Sequence, residues 1–159
     1  MIYVVDTGVL RELFAHIKRS VFPEIWEALE KMIDDGQVQF VKESYKEMTL
    51  QFSKDGNVIA WLNKYKGTFH TASSTEADIV SQIYAVKHFQ NNISEKAIRE
   101  GRPVADAFIV ARAKMLSATV VTREKNTPNA ARIPNICDHF DVLHTGEEVF
   151  QKMLKDLAK

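Results

Sequence analysis

The chain has 159 residues, 45% of them hydrophobic and 26% charged, a balance that suits one soluble globular domain over residues 1–159 with a proper core. Lys plus Arg equals Asp plus Glu at 21 each, so a general polyanion binder is excluded and nucleic-acid affinity would need a local basic surface. Cys137 is the only cysteine, which rules out an internal disulfide and points to a reducing, cytoplasmic setting; no stretch approaches the ~20 apolar residues of a membrane span, and the start MIYVVDTGVL lacks signal-peptide features.

In chain order, Ile2–Val5 is short, apolar and β-branched, the pattern of a fully buried strand, and Asp6-Thr7 ends it. Val9, Leu10, Leu13, Phe14 and Ile17 recur at helical spacing. Pro23 suits a first helical position, with Ile25, Trp26, Leu29, Met32 and Ile33 as the buried face before Asp35-Gly36 stops that helix. A strand over Val38–Val41 precedes a helix from Ser44 to about Phe52, and another helix runs from Val58 to Tyr65. Ser73 and Glu76 have capping-box spacing and open a long helix that continues through Phe89.

The polar stretch Asn91 to Pro103 promises the least regularity. Val104 to Leu116 reads as a strong helix, Thr119–Thr122 as a buried strand and Arg123 to Arg132 as a polar loop. A short helix or turn over Ile133 to Phe140, a last strand at Asp141–Leu143 and an amphipathic helix Glu147 to Leu157 complete the chain. Strands alternating with helices predict a three-layer α/β/α fold around a mostly parallel sheet of four to five strands.

Four acids, Asp6, Glu47, Asp106 and Glu124, each follow an apolar run at a strand end or helix entry. In a parallel sheet such positions converge where ligands bind, just beyond the carboxyl ends of the strands. Carboxylate oxygens gathered without paired histidines or cysteines describe a site for Mg²⁺ or Mn²⁺. Each acid also has an ordinary structural explanation. Asp6 or Thr7 suits a helix N-cap. Ser44 and Glu47 have capping-box spacing, and Glu43 is an alternative to Glu47 for the same role. Asp106 suits a helix first turn and stands four residues after Arg102, although its flanks are almost wholly apolar, and a buried acid needs a partner, a proton or a metal. Glu124 lies between Arg123 and Lys125 in a charged cluster. Repelling carboxylates are costly to gather unless a cation neutralises them, which strengthens the joint case.

Other chemistries fare worse. The five histidines show no ligand spacing, and Cys137-x-His139 with His144 offers at most three zinc-type ligands. Gly8 and Gly36 stand alone rather than in a phosphate loop, and no G-x-S-x-G elbow occurs.

The order of motifs resembles PIN domains. Tyr3-Val4-Val5-Asp6-Thr7-Gly8-Val9-Leu10 is similar to their opening, Ser44-x-x-Glu47-Met48 to the second acidic motif, Ala105-Asp106-Ala107-Phe108-Ile109-Val110-Ala111-Arg112-Ala113 to the third, and Val120-Val121-Thr122-Arg123-Glu124 to the fourth. Arg132-Ile133-Pro134-Asn135-Ile136-Cys137 is similar to a PIN-like branch of bacterial and archaeal proteins of unknown function, akin to VapC-type toxins. Two departures stand out: Gly8 takes the place where Asn or Ser is commonest, and Glu124 replaces the usual aspartate.

The resemblance implies a metal-dependent endoribonuclease, with Asp6 and Asp106 as principal ligands of Mg²⁺ or Mn²⁺ and Glu47 and Glu124 completing the site. It implies an RNA substrate, single-stranded or looped, a cognate antitoxin protein and a homodimer. Arg123, Lys125 and Lys46, with Lys42, are candidate phosphate contacts; Arg123, Glu124, Lys125 and Arg132 together carry net charge +2. A non-catalytic protein-binding module and a DNA nuclease are the rival readings.

Overall fold

The computed structural model describes residues 1–93 and 104–159. Strand β1 (Tyr3–Val5) leads into α1 (Thr7–His16), then α2 (Pro23–Asp34), β2 (Val38–Val41), α3 (Lys42–Gln51) and α4 (Gly56–Lys64). The chain continues through β3 (Phe69–His70), α5 (Ser74–Ala85), α6 (Asp106–Leu116), β4 (Thr119–Thr122), α7 (Ile133–His139), β5 (His144–Gly146) and α8 (Glu147–Leu157). Five strands form a sheet in the order β3-β2-β1-β4-β5, every pairing parallel. The expected three-layer, PIN-like α/β/α fold is what the chain adopts.

Local chemistry explains most boundaries. Pro23 opens α2 at its first turn, where its missing N–H costs nothing. Gly36, at φ +75°, takes the left-handed conformation that turns the chain from α2 into β2. The Asp55 side chain accepts hydrogen bonds from the amides of Asn57 and Val58 and caps α4. Ser73 accepts from the Glu76 amide at 3.2 Å and caps α5, as its spacing predicts.

Alternation along the strands sends neighbouring residues to opposite faces. Val5 and Val121 join a core with Leu10, Leu13, Trp26, Leu29, Phe40, Trp61, Leu62, Phe150 and Leu154, under α1, α2, α4 and α8. Val4 and Val120 join a second core with Ile83, Phe89, Ile109, Val110, Ile133 and Ile136, under α5, α6 and α7. Across that second layer Arg112 is buried; its Nε donates to Gln39 Oε1 and its Nη1 to Glu76 Oε1, each at 2.9 Å. Glu76 Oε1 thus serves Arg112 and also accepts from the Ser73 hydroxyl at 3.2 Å.

Four expectations change. The helix expected to run from Ser73 through Phe89 ends at Ala85, because Val86 is extended (φ −77°, ψ 108°); a 3₁₀ turn over Lys87–Phe89 follows and swings Phe89 edge-on against His139. The last strand is His144–Gly146, not Asp141–Leu143: Asp141 sits at φ +57° in a turn, and pairing of His144 with Val120 sets the register. The two-residue strand β3 was not anticipated, since two residues carry no periodicity. Finally, α3 begins at Lys42, so Ser44 and Glu47 lie inside the helix and form no capping box. Residues 91–93 are helical, and the rest of the stretch to Pro103, with Arg102 and its expected pairing, falls outside the described residues.

Candidate active site

Strand β1 is the switch point of the sheet: the chain moves from it to β2 on one side, while β4 pairs on the other. Crevices open at the carboxyl ends of strands at such a point. Asp6 follows β1 directly, Glu47 lies in the helix leaving β2, and Glu124 is two residues beyond β4. Asp106 arrives differently, as the first residue of α6, whose N-terminus lies at the same edge because α6 runs back towards the start of β4.

Asp6 has the extended backbone of an N-cap residue, yet its side chain caps nothing. Its amide donates to Val121 O at 2.9 Å, and its Oδ2 accepts from the Thr122 hydroxyl at 3.0 Å, which ties the carboxylate to β4. Thr122 Oγ1 in turn accepts from the Glu124 amide at 3.1 Å. The capping explanation of Asp6 therefore gives way to a tethered carboxylate that is 6% exposed.

Glu47 is 7% exposed and its Oε1 accepts from the Ala105 amide at 2.9 Å, joining α3 to the start of α6. The Thr7 hydroxyl donates to the Glu47 side chain and shares a 2.8 Å hydrogen bond with the Ser44 hydroxyl. Burial, reinforced by the charges of Asp106 and Asp6, pushes the Glu47 carboxyl up to about 7 against the hydrogen bonds from Thr7 and Ala105. Three acids that are far apart in sequence thus share one desolvated neighbourhood.

Asp106 is 3% exposed, and its Oδ2 accepts from Asn92 Nδ2 at 2.8 Å. Asn92 also donates to Ala131 O at 2.9 Å and so binds the loop after β4 to the acid. Sequence reasoning missed Asn92, which lies in a polar stretch with no motif around it. It also missed the roles of Ser44 and Thr122; a hydroxyl closing a buried strand immediately before an acid was the available signal.

Glu124 is half-buried at the edge of the group. Burial, reinforced by the charges of Asp138, Asp106, Asp6 and Glu124, pushes the Cys137 thiol up to about 12, so the cysteine stands as a neutral thiol. Among the described residues no group of three or more His, Cys, Asp or Glu stands ready-made to hold a metal ion. Glu43, one turn before Glu47, keeps a buried Oε1 that has no hydrogen-bond partner among the described residues.

The three basic candidates separate. Lys46 and Lys125 are exposed. Arg123 is engaged: its Nη1 pairs with Glu12 Oε2 at 3.1 Å and its Nε with Glu147 Oε1 at 3.3 Å. Its stem passes over Gly8, where an added Cβ would meet Arg123 Cδ at 3.4 Å. A cavity of about 540 Å³ lined by Phe14, Trp26, Trp61, Arg19 and Lys64 lies beside the far end of α1 and includes none of the four acids.

Fold and site together define a PIN-like α/β/α domain with buried acids at its switch point. Similar solved structures include VapBC2 from Rickettsia felis bound to a DNA fragment from its promoter, 15% identical with a TM-score of 0.52, the match covering 92% of this chain and 98% of that one. FitAB bound to an IR36 DNA fragment is 20% identical, with 92% and 95% covered and a TM-score of 0.55. FitAcB from Neisseria gonorrhoeae is 18% identical, with 92% and 99% covered and a TM-score of 0.55. No curated protein matches. A family model described as a domain of unknown function, DUF4411, matches residues 3–155, and the chain belongs to that family.

Proposed function

We propose that this chain, as a single domain over residues 1–159, is a metal-dependent endoribonuclease and the toxin of a toxin–antitoxin pair. One observation carries the reading: Asp6, Glu47 and Asp106 come from three separate elements into one buried group, at a carboxyl level that leaves Glu47 titrating at about 7. Such a gathering is unfavourable in isolation and is relieved by a cation.

The residues fit Mg²⁺ or Mn²⁺. Their donors are all carboxylate oxygens, and Mg²⁺ is commonly held by only one or two carboxylates, with water and substrate phosphate filling its other positions. A ready-made cage of three ligands is therefore not required. Asp6 and Asp106 would hold the ion, with Glu47 and Glu124 completing the site and Glu43 in reserve. When bound, the ion supplies Lewis-acid polarisation of the phosphate and acidifies water.

The protein's own groups do the rest. Thr122 and Asn92 fix the Asp6 and Asp106 carboxylates. Glu47, beside the two aspartates, would accept a proton from the attacking water, whose oxygen bonds to phosphorus as the bond to the leaving ribose oxygen breaks; solvent returns a proton to that oxygen. Lys46 and Lys125, both exposed, would meet flanking phosphates. Single-stranded or looped RNA supplies a backbone that can reach an edge crevice. An antitoxin partner is supported by the solved neighbours, which are named as VapBC2 and FitAB assemblies on DNA. A homodimer and a cytoplasmic location belong to the same proposal; among the described residues no helix is long and apolar enough to cross a membrane.

The test is cleavage of single-stranded RNA in Mn²⁺, with flapped DNA alongside. Asp6→Asn and Asp106→Asn are expected to lose at least ~100-fold in rate while circular dichroism stays unchanged, by analogy with removal of one transition-state-stabilising group. Retained cleavage in Asp106→Asn overturns the site, and faster cleavage of DNA overturns the substrate. A second reading, a non-catalytic protein-binding module, is favoured by the Arg123 stem lying over Gly8, where PIN relatives more often carry a polar side chain. Absence of any cleavage by the wild-type chain supports that module.

A further inference from the structure

Beside the acids lies a second cavity, of about 400 Å³, lined by His88, Phe89, Asn129, Ala130, Asn135, Asp138 and His139. Its size falls in the range of about 300–1,000 Å³ typical of small-molecule sites. It adjoins the acidic group through a shared wall: Asn92, three residues after Phe89, donates to both Asp106 and Ala131, the neighbour of Ala130.

The lining is unlike a metal site and unlike a phosphate site. Among the described residues no His, Cys, Asp and Glu group is arranged for metal, and neither lysine nor arginine lines the cavity. Instead it offers flat rings and amides. His139 is exposed and meets the buried Phe89 edge-on, with ring centroids 5.3 Å apart. His88 is also exposed and is held by a hydrogen bond between its Nε2 and Ala130 O at 3.2 Å.

Asn135 carries the most specific signal. Its Nδ2 donates to Thr127 O at 2.8 Å, which fixes the amide orientation, since a flipped amide would set two acceptors against each other. Its Oδ1 is buried and, among the described residues, has no hydrogen-bond partner. An unsatisfied acceptor at a cavity wall costs free energy until a donor reaches it.

We propose that this cavity is a base-recognition subsite: it takes the unstacked base of the nucleotide next to the cleaved phosphate, stacking it on His139 and His88 and reading an amino group with Asn135 Oδ1. Single-stranded RNA is commonly read this way, by stacking on aromatic or imidazole rings and hydrogen bonding to base edges. Turning the Asn135 amide out of its contact with Thr127 O would open Oδ1 to the amino group of adenine, cytosine or guanine. The subsite rests on the nuclease reading for its biological use, but binding of a base by itself does not.

The first arm of the test is therefore binding without metal. Adenosine, cytidine, uridine and ribose are titrated in EDTA into the ¹⁵N-labelled full chain, and amide shifts are followed across residues 127–139. Adenosine or cytidine is expected to shift that segment, uridine to bind more weakly and ribose not at all, and Asn135→Ala and His139→Ala each to weaken binding about tenfold. Equal shifts with ribose, or unchanged affinity in both variants, overturn the subsite. The second arm compares cleavage positions on a randomised RNA in Mn²⁺. Asn135→Ala is expected to raise KM and flatten the base preference beside the cut while leaving kcat within about twofold. An unchanged cleavage pattern overturns the subsite and leaves the nuclease standing. Nucleoside binding with no cleavage by the wild-type chain does the reverse.

Discussion

Glu47 owes its raised proton affinity first to burial and then to the charges of Asp106 and Asp6, so its protonation state is coupled to folding. An unfolded glutamate releases its proton near the ordinary value of 4.5, whereas the folded chain holds this one up to about 7. Between those limits the folded state binds more protons, and stability falls as pH rises through the window, by roughly 3 kcal/mol in total, before levelling off above it. Thermal melts in EDTA from pH 5 to 8.5 should show the wild-type Tm declining relative to Glu47→Gln; parallel curves would remove Glu47 from the buried group. Millimolar Mn²⁺ should restore the wild-type Tm at pH 8 but not that of Asp6→Asn/Asp106→Asn, because a ligand stabilises only the state that binds it. At the same scale, Arg123 holds Glu12 and Glu147 while about half exposed, so Arg123→Ala should cost no more than about 1 kcal/mol in urea titrations. A larger RNA-binding defect in that variant would return Arg123 to the phosphate contacts.

The elements divide by how local their causes are. Helix α8 and strands β2 and β4 match their expected bounds because a periodic apolar pattern and a flanking cap or break define each of them. The break at Val86 has no such local signal: neither Gly nor Pro stands there, and packing of Phe89 against His139 and Phe140 decides it. Strand β5 is equally non-local, since His144-Thr145-Gly146 pairs through backbone with β4 and needs no apolar pattern. Between α5 and α6 the buried Arg112–Glu76 pair fixes how the second layer sits on β2. Removing one partner strands the other charge in a dry site, so Arg112→Met should cost roughly 3–5 kcal/mol, while Arg112→Met with Glu76→Leu recovers most of it. Urea unfolding of both variants checks this; equal losses would mean that the layer depends on Arg112 for more than its charge.

For the whole molecule, equal numbers of acids and bases set the terms on which a polyanion is met. With Lys46 and Lys125 as the proposed phosphate contacts, RNA binding by the Asp106→Asn chain should show a log–log salt slope of about −1.4, two phosphates at ~0.7 each. A slope steeper than about −4 would reveal a larger basic surface elsewhere. The parallel sheet, its helical layers and the four acids were legible in the chain because strand and helix periods are written residue by residue, and because an acid after an apolar run is visible without a fold. Which acids meet was not. Asp6, Glu47 and Asp106 come together only because β1, β2 and β4 lie side by side and α6 runs back to their shared edge. Asn92, Thr122 and Thr7 become their partners through contacts up to 116 residues apart along the chain. Sequence thus determined the chemistry on offer, and tertiary structure decided its assembly, since desolvation and Coulomb coupling depend on distance in space and not along the chain.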